Sequence, residues 1–328
     1  MSGPFHPAQG VARTTRWSGL AASVCDDASA VDGYPLSVGI VTRNRREHVL
    51  AAVRLVLPQL EPGDELVVVD NASSDGTSVA VRAVLDPLGA GCRVVSEPEA
   101  GVSVARNRAL AEARNSTICF LDDDARPWPD WLAQLRRAWS AATEQTASIG
   151  GPITPEFLVR RPPWLADQHL YLVAALDLGR VRCRLDQAPG YGYLWGGNMS
   201  LRVAATLDVG GFDPRLGIRP EAPDDDGEEE ELQRRLVAAG YEIWYEPTAG
   251  VQHLLPTERL TPALLRRKVR GRTRGHARRG ASRLSGLSVL ARAAAGCIRA
   301  LLSGQRDAAI GASFGIVQGW ILVFARRR

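Results

Sequence analysis

At 328 residues the chain has room for one large α/β domain with appendages or for two modest domains, and 45% hydrophobic with 23% charged residues is a soluble globular composition. The net charge of +4 hides an asymmetry, with carboxylates gathered at 122–124 and 224–231 and arginines at 259–283 and 326–328. Cys25, Cys92, Cys119, Cys183 and Cys297 are odd in number, widely spaced and without a C-x-x-C pair, which argues against a disulfide framework or a zinc site and fits a reducing compartment.

Residues 1–34 are rich in small and polar residues and lack a long apolar run, so they read as a disordered leader rather than a signal peptide. The first strand is then Leu36 to Thr42, with a helix from Arg45 to Leu57. Glu65 to Asp70 is a second buried strand, followed by a polar turn (Asn71 to Thr77) and a helix to Leu85. Cys92 to Ser96 is a third strand and Val102 to Arg114 a third helix; Ser116 to Leu121 is a fourth strand that runs into Asp122, Asp123 and Asp124. Strands alternating with helices of this length predict a parallel sheet built from βαβ units, with every strand's C-terminal end on one edge. Thr42, Asp70, the Ser96–Glu97 turn and the three aspartates fall on that edge, where open α/β sheets bind ligands.

Three adjacent carboxylates repel one another unless a cation sits among them, and oxygen ligands suit Mg²⁺ or Mn²⁺, which could in turn hold a diphosphate. A solvated acidic turn capping a helix is the plain alternative. No G-x-G-x-x-G follows the first strand and no G-x-x-x-x-G-K-[ST] occurs, so the dinucleotide and P-loop readings fail. From Pro129 to Tyr193 the sequence reads as one helix and then a Pro- and Trp-bearing stretch of loop character around Arg161 to Leu165. In Trp195-Gly196-Gly197-Asn198 the glycines permit close backbone approach, and Asn198 offers both a donor and an acceptor; a tight turn is the alternative. Asp224 to Glu231 leads into Leu232, which is favourable charge at a helix start, and such crowding also raises carboxylate pKa values enough for a general base.

The ordered set Ser37 to Arg45, Val67 to Thr77, Ala105 to Leu110, Asp122 to Asp124, Gly196 to Asn198, Gly210 to Asp213, Gly227 to Leu236 and Tyr245 to His253 resembles the inverting glycosyltransferase family 2 of the GT-A fold. That resemblance implies an α/β, mostly parallel central sheet flanked by helices over residues 35–256. It implies Thr42, Arg43, Asp70, Arg106, Asp122 and Asp123 on the nucleotide-sugar donor, and Asp124 on a Mn²⁺ or Mg²⁺ ion. It implies Glu229 as catalytic base, with Glu228 as the alternative, because the family's usual Asp after Glu is replaced here by a second Glu. His253 is implied at the metal or the diphosphate, with a packed or exposed histidine as the alternative. Trp195, Gly197 and Asn198 are assigned to the acceptor. Processive relatives share a Q-x-x-R-W signature, whereas this chain has Gln233-Arg234-Arg235-Leu236, so transfer of a single sugar to a hydroxyl-bearing glycan, lipid-linked or small-molecule acceptor is expected.

Residues 257–328 form a basic and apolar helical tail. Arg292 and Arg299 share a helical face, and Gly311, Gly315 and Gly319 recur at the spacing that lets helices pack closely. The expectation is a hairpin docked on an anionic membrane surface at the inner face of the cell membrane, with a single span or a soluble cap as alternatives. No aromatics interleave with the arginines, so nucleic acid is not the expected partner. The rival functions are a nucleotidyltransferase with a similar sheet and a catalytically inactive membrane-associated binding protein.

Overall fold

The computed structural model describes residues 33–187, 193–278 and 283–324. Most of the expected leader, with Cys25, and the terminal arginines Arg326 to Arg328 lie outside the described residues. The first half follows the expected alternation: β1 (Ser37–Thr42), α1 (Arg46–Val56), β2 (Glu65–Asn71), α2 (Thr77–Leu85), β3 (Cys92–Glu97), α3 (Val102–Glu112) and β4 (Thr117–Asp122). β2 is buried at all seven positions, as a continuous apolar run in a covered sheet should be. β1 pairs in parallel with β2 and β4, and β2 with β3, which sets Thr42 beside Asp70 and Val41 beside Asp122.

The second half departs from expectation between Pro129 and Tyr193. After β5 (Ala125–Pro127) and α4 (Trp131–Ser140), the stretch taken for a loop contains three strands: β6 (Thr146–Gly150), β7 (Ile153–Phe157) and β8 (Cys183–Arg184). Then come β9 (Asn198–Arg202), α5 (Val203–Asp208), α6 (Glu228–Ala238), β10 (Glu242–Tyr245) and β11 (Val251–Leu255). The main sheet has the order β3-β2-β1-β4-β9-β6-β10-β8. β9 runs antiparallel to both β4 and β6, with Asn198 opposite Leu121. Its reversed direction brings the glycine turn before it to the same edge as the aspartates. A second sheet, β5-β11-β7, pairs His253 with Ala125. The Leu254 N–H also donates to the Asp124 carbonyl at 3.1 Å, so this small sheet fixes the His253–Asp124 approach.

Glu65, at the other end of β2, shows what holds the parallel half together. Its buried carboxylate accepts from Ser37 Oγ, the Arg114 N–H and Arg93 Nη1, each at 2.6 Å. Burial works against its ionisation, but the Arg114 N–H, Ser37 and Arg93 outweigh burial and lower its pKa. A depressed folded pKa contributes stability above the unfolded value, about 4.5, that is lost as pH falls through the folded value. Glu65→Gln is therefore expected to cost about 2–3 kcal/mol at neutral pH. The gap from the parent should narrow on acidification below about pH 4.5. Thermal melts from pH 7 to pH 3.5 check this, and a gap independent of pH contradicts it.

The tail forms α7 (Pro262–Arg278), α8 (Arg283–Leu302) and α9 (Arg306–Phe324), with α8 and α9 packed as a hairpin. A Cβ on Gly315 would lie 2.8 Å from the Ala293 Cβ, so this glycine sets the α8–α9 distance, whereas Gly311 faces His169 and Trp164. Phe314 joins Leu165, Leu172, Val173, Leu255 and Leu265 in a second apolar cluster that ties the tail to the body. Among the described residues no helix is long and apolar enough to cross a membrane.

Candidate active site

Two buried charge clusters share the C-terminal edge of the sheet. The first surrounds the end of β4. Thr42 Oγ1 donates to Asp123 Oδ2 at 2.8 Å, and Arg45 Nη1 contacts Asp123 and lies 2.9 Å from Asp124 Oδ2. Arg259, at the end of the 3-10 turn Thr257–Arg259 that follows β11, pairs with Asp124 Oδ2 through Nη2. Burial pushes the Asp123 carboxyl up to about 6 against Arg45, with repulsion from Asp124 adding to it. Burial would also raise Asp124, but His253, Arg259 and Arg45 overcome it and hold that carboxyl well below the usual range.

His253 Nε2 stands 3.6 Å from Asp124 Oδ1. Arg259 can only donate, and its Nη1 meets His253 Nε2 at 2.9 Å, so that nitrogen is the acceptor. His253 Nδ1–H therefore donates to the Val173 carbonyl at 2.9 Å. A ring pinned through Nδ1 with its Nε2 lone pair beside a carboxylate is the arrangement of a metal-ligating histidine. Asp124 Oδ2 is met by ion pairs but lacks a well-angled hydrogen bond. The residues thus fit a divalent cation, which Asp124 and His253 would hold.

The second cluster centres on Arg106 of α3. Its Nη1 lies 2.8 Å from Glu228 Oε1 and 3.0 Å from Glu229 Oε1, and its Nη2 lies 3.7 Å from Asp122 Oδ1. Burial disfavours the charge on Arg106, but Glu229, Glu228 and Asp122 together raise its pKa. Glu228 and Glu229 open α6, whose N-terminus favours negative charge, after Gly227 at φ +104°. Burial and the neighbouring Glu229 carry Glu228 well above the ordinary carboxylate pKa, with Arg106 opposing them. Among the described residues, Asp226, Glu228 and Glu229 are the three carboxylates whose oxygens converge within 4.8 Å. Arg106 already supplies a cation there.

The placement of α6 follows from sequence details beside the cluster. Asn107 Nδ2 donates to the Phe212 carbonyl at 2.7 Å, and the Phe212 N–H donates to Asn107 Oδ1 at 2.8 Å. Gly211, at φ +68°, admits this approach. Gln233 accepts the Leu194 N–H at 2.7 Å and donates to the Leu194 carbonyl at 2.9 Å, so the glutamine of the incomplete Q-x-x-R-W pattern fixes the segment leading to Trp195.

Thr42, Asp122, Asp123, Asp124, Arg106, Glu228, Glu229, Gly197 and His253 are brought together. Asp70 joins them at the edge, buried, with Oδ1 lacking a hydrogen-bond partner. Arg43 does not reach the aspartates: it is exposed, and Arg45 makes the contacts instead. Nor is Asn198 placed to meet an acceptor. At 1% exposure it accepts from Trp131 Nε1 at 2.9 Å and donates to the Pro152 and Ala249 carbonyls at 3.1 and 2.8 Å. Its amide is consumed inside the protein. Trp195 is buried, edge-on to Tyr193. Arg45 and Arg259 are the site residues missed from the sequence.

The paired glycines act through contact. The Gly196 N–H donates to Glu229 Oε1 at 3.2 Å, and a Cβ there would collide with the Arg106 guanidinium and lie 2.6 Å from Glu229 Oε1. A Cβ on Gly197 would lie 2.9 Å from Asp122 Oδ2. Gly196→Ala should keep the fold by circular dichroism and lose roughly 100-fold in turnover through displacement of Arg106 and Glu229. Unchanged turnover would show that this contact does not position the site.

A mostly parallel sheet with the reversed strand β9 beside β4 sets the acidic crevice at the sheet's C-terminal edge. Residues 37–208 match the family model for glycosyl transferase family 2, and the chain belongs to that family. It is 26% identical over 214 residues to a glucosyl-dolichyl phosphate glucuronosyltransferase of Haloferax volcanii, covering 64% of this chain and 66% of that protein. It is 29% identical over 194 residues to a pre-mycofactocin glycosyltransferase of Mycobacterium tuberculosis, covering 58% of this chain and 37% of that one. The matches thus span between about a third and two thirds of these relatives' lengths. In fold it resembles a mannosyltransferase of Pyrobaculum calidifontis solved with GDP-Man and Mn²⁺, with a TM-score of 0.59 at 19% identity over 89% of this chain and 88% of that one. Within that family the chain takes a GT-A fold.

Proposed function

We propose that this glycosyltransferase is metal-dependent and inverting, and that it moves one sugar from a nucleoside-diphosphate donor to a hydroxyl acceptor. The observation that carries the proposal is the pairing of His253 Nε2 with Asp124, 3.6 Å apart, beside the Arg106–Glu229 cluster. Asp124 and His253 would hold the cation, and an imidazole beside a carboxylate is accepted more readily by Mn²⁺ than by the harder Mg²⁺. The metal would supply charge neutralisation on the diphosphate leaving group. Asp70, with its unpaired buried oxygen, would accept from the nucleotide base or ribose, next to Thr42. Asp122, 41% exposed at its side chain, is the aspartate open to the sugar or ribose.

Glu229 is the base in this reading. The Gly196 N–H and Arg106 hold Oε1, and the carboxylate takes the acceptor hydroxyl proton as that oxygen attacks the anomeric carbon. The bond to the diphosphate breaks on the opposite face, so the configuration inverts. Glu228 positions Arg106.

The test is hydrolysis of a nucleotide-sugar panel by the purified protein with Mn²⁺, with Mg²⁺ and with chelator. Slow release of a nucleoside diphosphate from one donor, lost with chelator, is expected. Equal release in chelator contradicts the metal role.

For the tail, exposed Leu287, Ile298, Leu301 and Leu302 lie on α8 with exposed Arg292 and Arg299, which favours peripheral docking on an anionic membrane. The dolichyl phosphate in the Haloferax relative's name supports a lipid-linked acceptor. Co-sedimentation with vesicles containing phosphatidylglycerol, lost in Leu301→Glu/Leu302→Glu, is expected; equal sedimentation of that variant contradicts docking through α8.

A further inference from the structure

We infer that Arg259 is a placeholder for the cation: it occupies the metal's own ligands while no metal is bound and passes to the donor diphosphate when the metal arrives. The inference rests on the donor-site reading above.

Arg259 engages both residues that a divalent ion would use, and at His253 the very atom. Its Nη1 donates to His253 Nε2 at 2.9 Å, and its Nη2 pairs with Asp124 Oδ2. A guanidinium has donors and no acceptor, so it cannot share a lone pair with a metal ion. Metal binding and the present Arg259 contacts are therefore mutually exclusive at His253 Nε2. Like charge adds to the exclusion, because a guanidinium left against a divalent cation is repelled by it.

Arg45 is held differently. It touches Asp123 as well as Asp124, so it keeps a carboxylate partner when Asp124 turns to a metal. Arg259 pairs through Asp124, and among the described residues no second carboxylate pairs with it. Its backbone is fixed by the Thr257–Arg259 turn, where the Arg259 N–H donates to the Pro256 carbonyl at 3.0 Å. The side chain, 26% exposed, can pivot without unfolding anything. The anion that enters with the metal is the diphosphate. A planar fork suits phosphate oxygens, and a fixed guanidinium there would stabilise the charge that builds on the leaving group.

The account predicts opposite signs for two affinities. Free Mn²⁺ is titrated by electron paramagnetic resonance into the parent, Arg259→Ala and Arg259→Lys without nucleotide. UDP and GDP are then titrated calorimetrically with Mn²⁺ saturating. Arg259→Ala should bind Mn²⁺ alone several-fold more tightly and the preferred nucleoside diphosphate roughly ten-fold more weakly. Arg259→Lys should resemble the parent for Mn²⁺ and lie between the two for the nucleotide, having a charge but no fork. If both affinities fall together in Arg259→Ala, or neither moves, the placeholder role is overturned. If the parent itself binds neither UDP nor GDP with Mn²⁺, the donor-site reading fails first and takes this inference with it.

Discussion

Glu229→Gln should lower sugar-transfer turnover by roughly 100- to 10,000-fold while leaving nucleoside-diphosphate binding near that of the parent. The amide can still receive the Gly196 N–H, so the site's shape survives, but it cannot take the acceptor proton. The substitution also removes one of the like charges that hold Glu228 in its neutral direction, so the melting temperature should not fall. Glu228→Gln is the informative comparison. Glu228 is more enclosed, and Gly217 packs against it so closely that a Cβ there would lie 2.9 Å from its carboxyl carbon. It should lose activity through a loosened Arg106 and recover part of it when Gln is replaced by Asp. If the Glu228 variant alone loses turnover, the base is Glu228.

Arg106→Met should be the most destabilising single change at the site, at about 3–5 kcal/mol, because it leaves Glu228 and Glu229 buried without their cation. The pH dependence separates this cause from lost packing. A carboxyl whose folded pKa is raised, as that of Glu228 is, contributes stability at low pH that is lost as pH rises from the unfolded value, about 4.5, towards the folded one. Arg106 opposes that rise in the parent, so its removal should steepen the loss. Thermal melts of both proteins between pH 5 and pH 8 should diverge as pH rises. Parallel curves would mean that Arg106 matters for its volume and for its stacking on Phe212, 5.6 Å from the ring centre.

The parallel half of the fold is legible because β1 to β4 are long apolar runs separated by helices with ordinary stop signals. The convergence of Thr42, Asp70 and the three aspartates follows from that topology alone. The second half is not legible in the same way. β6 reads Thr-Ala-Ser-Ile-Gly and β8 is two residues long, and such segments become strands only when β9 and β10 lie beside them. Asn198 looks like a free amide beside two glycines, and only the packed structure shows Trp131, Pro152 and Ala249 using it. Arg45 could be suspected among Arg43, Arg45 and Arg46, but the choice is made by Asn44 at φ +52°, which turns the backbone between them. Arg259 carries no local signal, because its link to Asp124 passes through the pairing of β11 with β5.

The most direct test of the metal-dependent donor site is a calorimetric titration of the donor's nucleoside diphosphate into the parent and into Asp124→Asn, each with and without Mn²⁺. Mn²⁺ should tighten binding in the parent by roughly ten-fold or more and change little in the variant, whose remaining protein ligand would be His253. An equal gain in both proteins would contradict Asp124 as the residue that joins the metal to the donor.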